Sequence, residues 1–201
     1  MHFPAKPRDP DARHSEATLA LSPMANPNND MPPEVEIDGV AFALLKPDSP
    51  ALIDAFLKMG RPYNDEIDDA LGETTPAPTV DRWFRSIVDK QGDQDRWLFL
   101  LDYRSSFAGF AYGKLDRDDR PGWGYIMEFY VIPDRRRLGF GRRMFERIKT
   151  AFASADAGRI WLTTNAPARP FWRSLGFQPT GDRGQNGLDV LALEIGPVSE
   201  R

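Results

Sequence analysis

The sequence predicts an α+β (α/β-like) domain, and three observations carry that prediction. From residue 34 to residue 195, segments with strand pattern alternate with segments of helical period. Two β-rich runs, Arg96–Tyr103 and Ser106–Leu115, flank a tight turn at Arg104-Ser105 and read as a hairpin. After them, Tyr125–Ile132 is a β-branched and aromatic run that stops at Pro133. It passes through a basic turn into Arg136-Arg137-Leu138-Gly139-Phe140-Gly141, the opening of an amphipathic helix.

The elements follow in order. Residues 1–33 are rich in Pro, Asn, Asp and charge, cannot bury enough apolar surface to offset their ordering entropy, and are expected to be disordered. Met31 stands just before the first patterned segment, which leaves open whether the tail is a functional arm or a gene-start extension. The folded domain is placed at 34–201. Val35–Leu45 reads as the first strand. Pro50–Met59 reads as a short helix closed by Gly60, with Asp65–Leu71 as a separate helical turn. Gly72–Pro78 is a loop, and Thr79-Val80-Asp81 caps a helix through Lys90 with Trp83, Phe84, Ile87 and Val88 on one face. The hairpin follows, then a charged loop over Asp116–Gly122. Beyond Gly141, Met144, Phe145, Ile148 and Phe152 recur at helical spacing, and Gly158 ends that helix. Arg159–Thr164 is a buried strand, and Asn165–Leu175 a loop and short helix stopped by Gly176. Phe177–Gly181 and Asp189–Ile195 are the last strands, joined by a turn at Gly184–Gly187.

Composition removes several classes of chemistry. With 41% hydrophobic residues the 201-residue chain has enough for one core. A net charge of −4 argues against nucleic acid as a partner, so the arginines at 135–143 stand out from an acidic background. The chain has no cysteine, and its two histidines, His2 and His14, lie in the tail. A cysteine nucleophile, a core histidine base and a metal centre are therefore not expected. No apolar run suits a membrane span, so a cytoplasmic protein without a membrane partner is expected.

The stretch from 125 to 143 carries the main functional signal. The first turn of a helix leaves backbone N–H groups unpaired and carries partial positive charge. Glycines at 139 and 141 let a phosphate approach those groups, and Arg135, Arg136, Arg137, Arg142 and Arg143 add charge. This is the pattern of a site for a phosphate-bearing cofactor.

About twenty-five residues later comes Asn165-x-x-Ala168-x-x-Phe171-Trp172-x-x-x-Gly176-Phe177. With Arg136-x-x-Gly139-x-Gly141 it resembles the GNAT superfamily of acetyl-CoA-dependent N-acetyltransferases. The resemblance is specific over 125–177. It implies the GNAT fold, a mixed, mostly antiparallel central sheet flanked by helices and splayed between its two central parallel strands. It also implies acetyl-CoA as co-substrate, with no metal. Backbone groups of Phe129, Tyr130 and Val131 would pair with the pantetheine arm. Those of Arg137, Leu138, Gly139, Phe140, Gly141 and Arg142 would hold the pyrophosphate, with Arg136 heading the motif. Asn165 and Trp172 would line the other side of the arm, and the Val131 N–H would face the acetyl carbonyl. The family often has Tyr, a proton donor to the leaving thiolate, where this chain has Trp172. An indole N–H does not serve as an acid, so Tyr130 or Tyr112 becomes the substitute, or the thiolate leaves unassisted.

Acetyl transfer to an amine needs the neutral amine, and an alkylamine is only about 0.1% neutral near pH 7.4. Glu128 is the single charge between Gly124 and Pro133 and is the candidate base, with Tyr130 as second catalytic candidate. The bland alternative for Glu128 is an exposed face or an arginine partner. Asp65, Glu66, Asp68, Asp69 and Glu73 could attract a cationic acceptor or simply form a solvated helix face. Trp83, Phe84, Trp97 and Trp161 read as core. The acceptor is an amine on a small molecule or a protein, and a homodimer stays open. Without cysteine, direct transfer in a ternary complex is expected. A non-catalytic acyl-CoA sensor is the alternative from another class, and a nucleotide- or RNA-binding module is disfavoured by the net charge.

Overall fold

The structure is a computed structural model that describes residues 39–93 and 95–196. The tail at 1–33 and the beginning of the expected first strand lie outside the described residues. The elements run β1 (Val40–Leu44), α1 (Pro50–Leu71), α2 (Ala77–Asp89), β2 (Arg96–Tyr103), β3 (Ser106–Leu115), β4 (Gly124–Val131), a 3-10 turn (Pro133–Arg135), α3 (Phe140–Ser154), β5 (Arg159–Thr164), α4 (Arg169–Ser174), β6 (Gln178–Arg183) and β7 (Asp189–Glu194). One seven-stranded sheet holds them in the order β1-β2-β3-β4-β5-β7-β6. Every adjacent pair is antiparallel except β4–β5.

Helix α3 covers one face and α1 with α2 the other. Trp97, Phe99 and Leu101 of β2 join Phe145, Ile148 and Phe152 under α3. Leu98 and Leu100 join Phe56, Phe84 and Phe110 under α1 and α2. A strand buried on both faces has no polar side, which explains the unbroken apolar run in β2.

Two features of this frame build the site. Strands β4 and β5 pair only at Gly124↔Ile160 and Tyr125↔Trp161. Beyond those pairs β4 runs on to Val131 and β5 to Thr164, so the two strands part and a gap opens between their C-terminal ends. The second feature is a bulge. Tyr112 pairs with Glu128 and Gly113 with Ile126, so Met127 is an extra residue in β4. A bulge reverses the facing of the residues beyond it. Ile126 points into the α3 core, and without the bulge Glu128 would share that face. With it, Glu128 turns toward α1.

The first helix corrects the sequence reading. Gly60 does not end it, and α1 continues as one helix to Leu71, where Gly72 caps it in the left-handed region. Gly60 is an interhelical contact instead: a Cβ there would lie 2.8 Å from Cγ of Phe84 on α2. Pro62 removes one helical hydrogen bond, but Phe56, Met59 and Tyr63 keep one packed face across it, and that packing outweighs the local loss. Helix α2 begins at Ala77, two residues before the expected start, because Pro78 presets the first turn. Strand β6 runs two residues past the expected Gly181.

Candidate active site

The gap exposes one edge of β4. Ile132 N–H donates to the Ala108 carbonyl at 2.9 Å, and the register sets Phe110 against Tyr130 and Ala111 against Phe129. Hydrogen-bonded and non-bonded pairs alternate along an antiparallel ladder. The backbone groups of Tyr130 are therefore spent on β3, while those of Phe129 and Val131 point into the gap. This corrects the expectation that all three residues present their backbones to the arm. The Tyr130 side chain faces α1, where its hydroxyl donates to Glu66 Oε1 at 3.3 Å.

At the end of β4 the chain turns toward α3. Arg137 has φ of 65° and Gly139 has φ of 85°, both left-handed, and the first turn of α3 has no side-chain cap. Successive N–H groups in such a turn form an anion-binding concavity. At Gly141 a Cβ would come within 3.1 Å of the Phe171 ring, so the helix start is seated closely against α4. Phe140 is buried against Tyr103, which leaves only its backbone for a ligand, whereas Leu138 is 56% exposed at the loop tip. Arg142 Nη2 donates to the Ser174 carbonyl at 3.1 Å. The Arg136 side chain turns away from this loop: its Nε donates to the Val131 carbonyl at 2.8 Å and its Nη2 to Glu66.

Across the gap, Asn165 Oδ1 accepts from Ala168 N–H at 3.0 Å and shapes the entry to α4. Trp172 is packed into the α3 core among Phe129, Phe145, Phe171 and Phe177. Phe171, rather than Trp172, is the α4 aromatic that reaches the glycine loop.

The other face of the splayed strands holds the titratable groups. Glu128 is 8% exposed, and Tyr63 of α1 donates to its Oε2 at 2.5 Å. Burial raises the Glu128 carboxyl from 4.5 to about 8, and the Tyr63 hydrogen bond only partly offsets it. Tyr125 stacks on Trp161 with ring centroids 3.9 Å apart. Burial first, then the Glu128 charge, push Tyr125 up to about 12, against a lowering hydrogen bond with Thr163. Thr163 Oγ1 also accepts from Asn186 Nδ2 of the β6–β7 turn at 3.1 Å. Tyr130 is likewise raised to about 12, by burial and then by Glu66. Tyr112 is raised by burial, and its hydroxyl accepts from Arg96 at 2.8 Å. Neither Tyr130 nor Tyr112 is thereby prepared as an acid.

Residues 63–177 match the family model described as the acetyltransferase (GNAT) family. The chain belongs to the GNAT acetyltransferase family. Solved structures agree on the fold. The PaiA N-acetyltransferase of Thermoplasma acidophilum, in complex with coenzyme A, superposes with a TM-score of 0.60 at 11% identity, over 77% of this chain and 98% of its own. The ribosomal-protein-S18-alanine N-acetyltransferase of Escherichia coli gives 0.53 at 20% identity, over 81% and 97%. An aminoglycoside 6'-acetyltransferase of type Ii gives 0.58 at 16% identity, over 78% and 97%. No curated protein matches the sequence.

Within this GNAT frame, sequence reasoning missed Tyr63 and the engagement of Arg136 by Glu66. Tyr63 had a signal, since it continues the helical face of Phe56, Met59 and Ile67, but reading Gly60 as a stop hid it. The acidic stretch is only partly a solvated face. Asp68 is buried and accepts from Asn64 Nδ2, Thr75 N–H and Thr75 Oγ1, so it ties the α1–α2 loop to the helix.

Proposed function

We propose that the protein transfers an acetyl group from acetyl-CoA to a primary amine by direct attack in a ternary complex, with Glu128 as the base. The observation that carries this reading is Glu128 itself, a buried carboxylic acid near pKa 8 in the strand whose edge lines the gap. When bound, the co-substrate supplies an activated acyl thioester.

The glycine loop suits a pyrophosphate: left-handed Arg137 and Gly139 lead into the start of α3, whose first turn has no side-chain cap. The Phe129 carbonyl and the Val131 N–H offer an acceptor and a donor along β4, as an added strand requires, while Arg136 holds the Val131 carbonyl. The Val131 N–H stabilises the oxyanion as the amine attacks. Glu128 takes the proton from the acceptor nitrogen, directly or through water. Its raised pKa lets it hold that proton near neutral pH, which a carboxylate of ordinary pKa does poorly. The thiolate leaves without a tyrosine acid, because Trp172 stands in the core and thiols ionise at a pKa of about 8.5.

Relatives of the same fold act on a ribosomal-protein alanine and on an aminoglycoside. The acceptor screen therefore spans peptide N-termini, lysine peptides, polyamines and aminoglycosides, read by release of free CoA thiol. Initial-rate patterns should intersect, and parallel lines would mean an acyl-enzyme instead. A second reading, a non-catalytic acyl-CoA sensor, draws on Trp172 and on the high pKa values of Tyr130 and Tyr112. It predicts tight acetyl-CoA binding without turnover of any acceptor.

A further inference from the structure

We propose that Tyr63 is the positioning residue of the base: its hydroxyl fixes Glu128 Oε2, turns Oε1 to the acceptor and favours the carboxylate over its protonated form. This rests on the reading of Glu128 as base and adds a residue from α1, an element outside the two cofactor motifs.

The geometry is specific. The Tyr63 Oη to Glu128 Oε2 distance is 2.5 Å, within the range of a charge-assisted O–H···O⁻ bond. No described residue donates to Oε1, which leaves that oxygen for the acceptor. The Tyr63 ring cannot drift. It packs edge-on against Phe84 at 6.1 Å, Phe110 at 5.4 Å and Tyr130 at 5.4 Å, so α1, α2, β3 and β4 all fix its direction. The helix is pinned again one turn later. Tyr63 and Glu66, three apart on α1, meet Glu128 and Tyr130, two apart on β4. Two such contacts set the register of helix on strand.

The other groups facing Glu128 are Tyr125 on its own strand and Tyr112 across the pair on β3, the latter bonded to Arg96. Among the described residues no cation is hydrogen-bonded to Glu128, so the Tyr63 hydroxyl is the group that favours its charged form. Burial and the Glu128 charge raise Tyr63 well above 10, so it stays a donor through the working range. During transfer the acceptor N–H bond breaks and its proton forms an O–H bond at Oε1. The Tyr63 proton stays on its own oxygen and bonded to Oε2. The chain thus separates the oxygen that receives the proton from the oxygen that is held.

The test is Tyr63→Phe in the full chain. The ring contacts are retained, so melting temperature and acetyl-CoA affinity should stay near wild type. With glutamate carboxyls labelled with carbon-13, the Glu128 resonance is assigned by its disappearance in Glu128→Gln and titrated. Its midpoint should rise by about 1–2 pH units in Tyr63→Phe, the size of one hydrogen bond to a charged group. In the wild type, the Tyr63 Cζ shift should move with the same midpoint, a measurement that needs no variant. With the acceptor found by the screen, the acid limb of kcat/KM should rise by the same amount, and the high-pH plateau should recover. An unmoved Glu128 midpoint, or a Tyr63 Cζ flat through the titration, overturns the positioning role alone. Wild-type turnover in Glu128→Gln removes the base, and the positioning role with it.

Discussion

Glu66 of α1 grips Arg136 with both carboxylate oxygens, at 2.7 and 2.6 Å, while Arg136 Nε holds the Val131 carbonyl. One guanidinium thus joins α1, the last residue of β4 and the turn that leads to the glycine loop. The motif assigns Arg136 to the pyrophosphate; its fork is instead matched to a carboxylate and a carbonyl, a task the planar group suits.

Glu66→Gln should cost little stability. The two side chains are 42% and 41% exposed, and ion pairs at that exposure contribute up to about 1 kcal/mol. The urea midpoint should fall slightly with an unchanged slope, and the difference should shrink in high salt. A loss of several kcal/mol would mean that the pair is shielded from solvent.

Asp68→Ala should cost about 2–4 kcal/mol, because it strips a buried hub of charged hydrogen bonds. Thr75 N–H lies 2.6 Å from Asp68 Oδ2, and Thr75 Oγ1 lies 2.8 Å from Oδ1. Amide exchange reads the mechanism directly. Protection at Thr75 should collapse in Asp68→Ala while protection in β2 and β3 stays at the global level. Equal losses in loop and sheet would show that Asp68 supports the whole fold rather than the loop.

The contrast between Asp68 and Glu128 shows how much is legible in the sequence. Hairpin, β4, α3 and β5 each carry their own periodicity, so their existence follows from local pattern. The splay is implied by the two motifs together, and the strand pairing agrees with it. Glu128 is visible as a lone charge in an apolar run, but its direction is not. The bulge at Met127 has no side-chain signature; it is set by the register of β3 against β4. The same ladder decides that Phe129 and Val131, and not Tyr130, face the gap. Gly60 misleads because a glycine can end a helix or admit a neighbouring ring, and only Phe84 in three dimensions distinguishes the two. The partners of Arg136 and Glu128 lie 70 and 65 residues away on α1, beyond any local spacing rule.

Gly141→Asp should weaken acetyl-CoA binding at least about tenfold while leaving the fold intact. The new Cβ meets Phe171 at 3.1 Å, a contact that a small ring shift relieves, and the carboxylate stands at the helix start where the pyrophosphate would sit. Calorimetry on the folded variant checks it, with Gly139→Ala as comparison. Nothing lies within 4 Å of a Cβ at Gly139, so that variant bears only the strain of its left-handed φ of 85°. Unchanged affinity in Gly141→Asp would move the phosphate site away from this loop.

Glu128→Gln should change stability and turnover with opposite signs. Stability follows from linkage. The folded carboxyl titrates near 8 and the unfolded one near 4.5, so between those values the native state binds the proton that the unfolded state has released. Wild-type stability therefore falls as pH rises through that window and levels off above it. Glutamine removes the titration but keeps the shape and a donor for the site. The variant should match the wild type near pH 4.5, gain on it steadily toward pH 8, and keep a constant lead beyond. Urea midpoints at several pH values give the curve, and a gap that does not change with pH would mean that Glu128 is solvated in the native state. Turnover should fall by about 10²–10⁴, the usual contribution of a positioned base. That deficit should narrow at high pH, where more of the acceptor amine is already neutral. A residue that stabilises the protein when its charge is removed, and disables it at the same time, is one whose burial is maintained for chemistry rather than for folding.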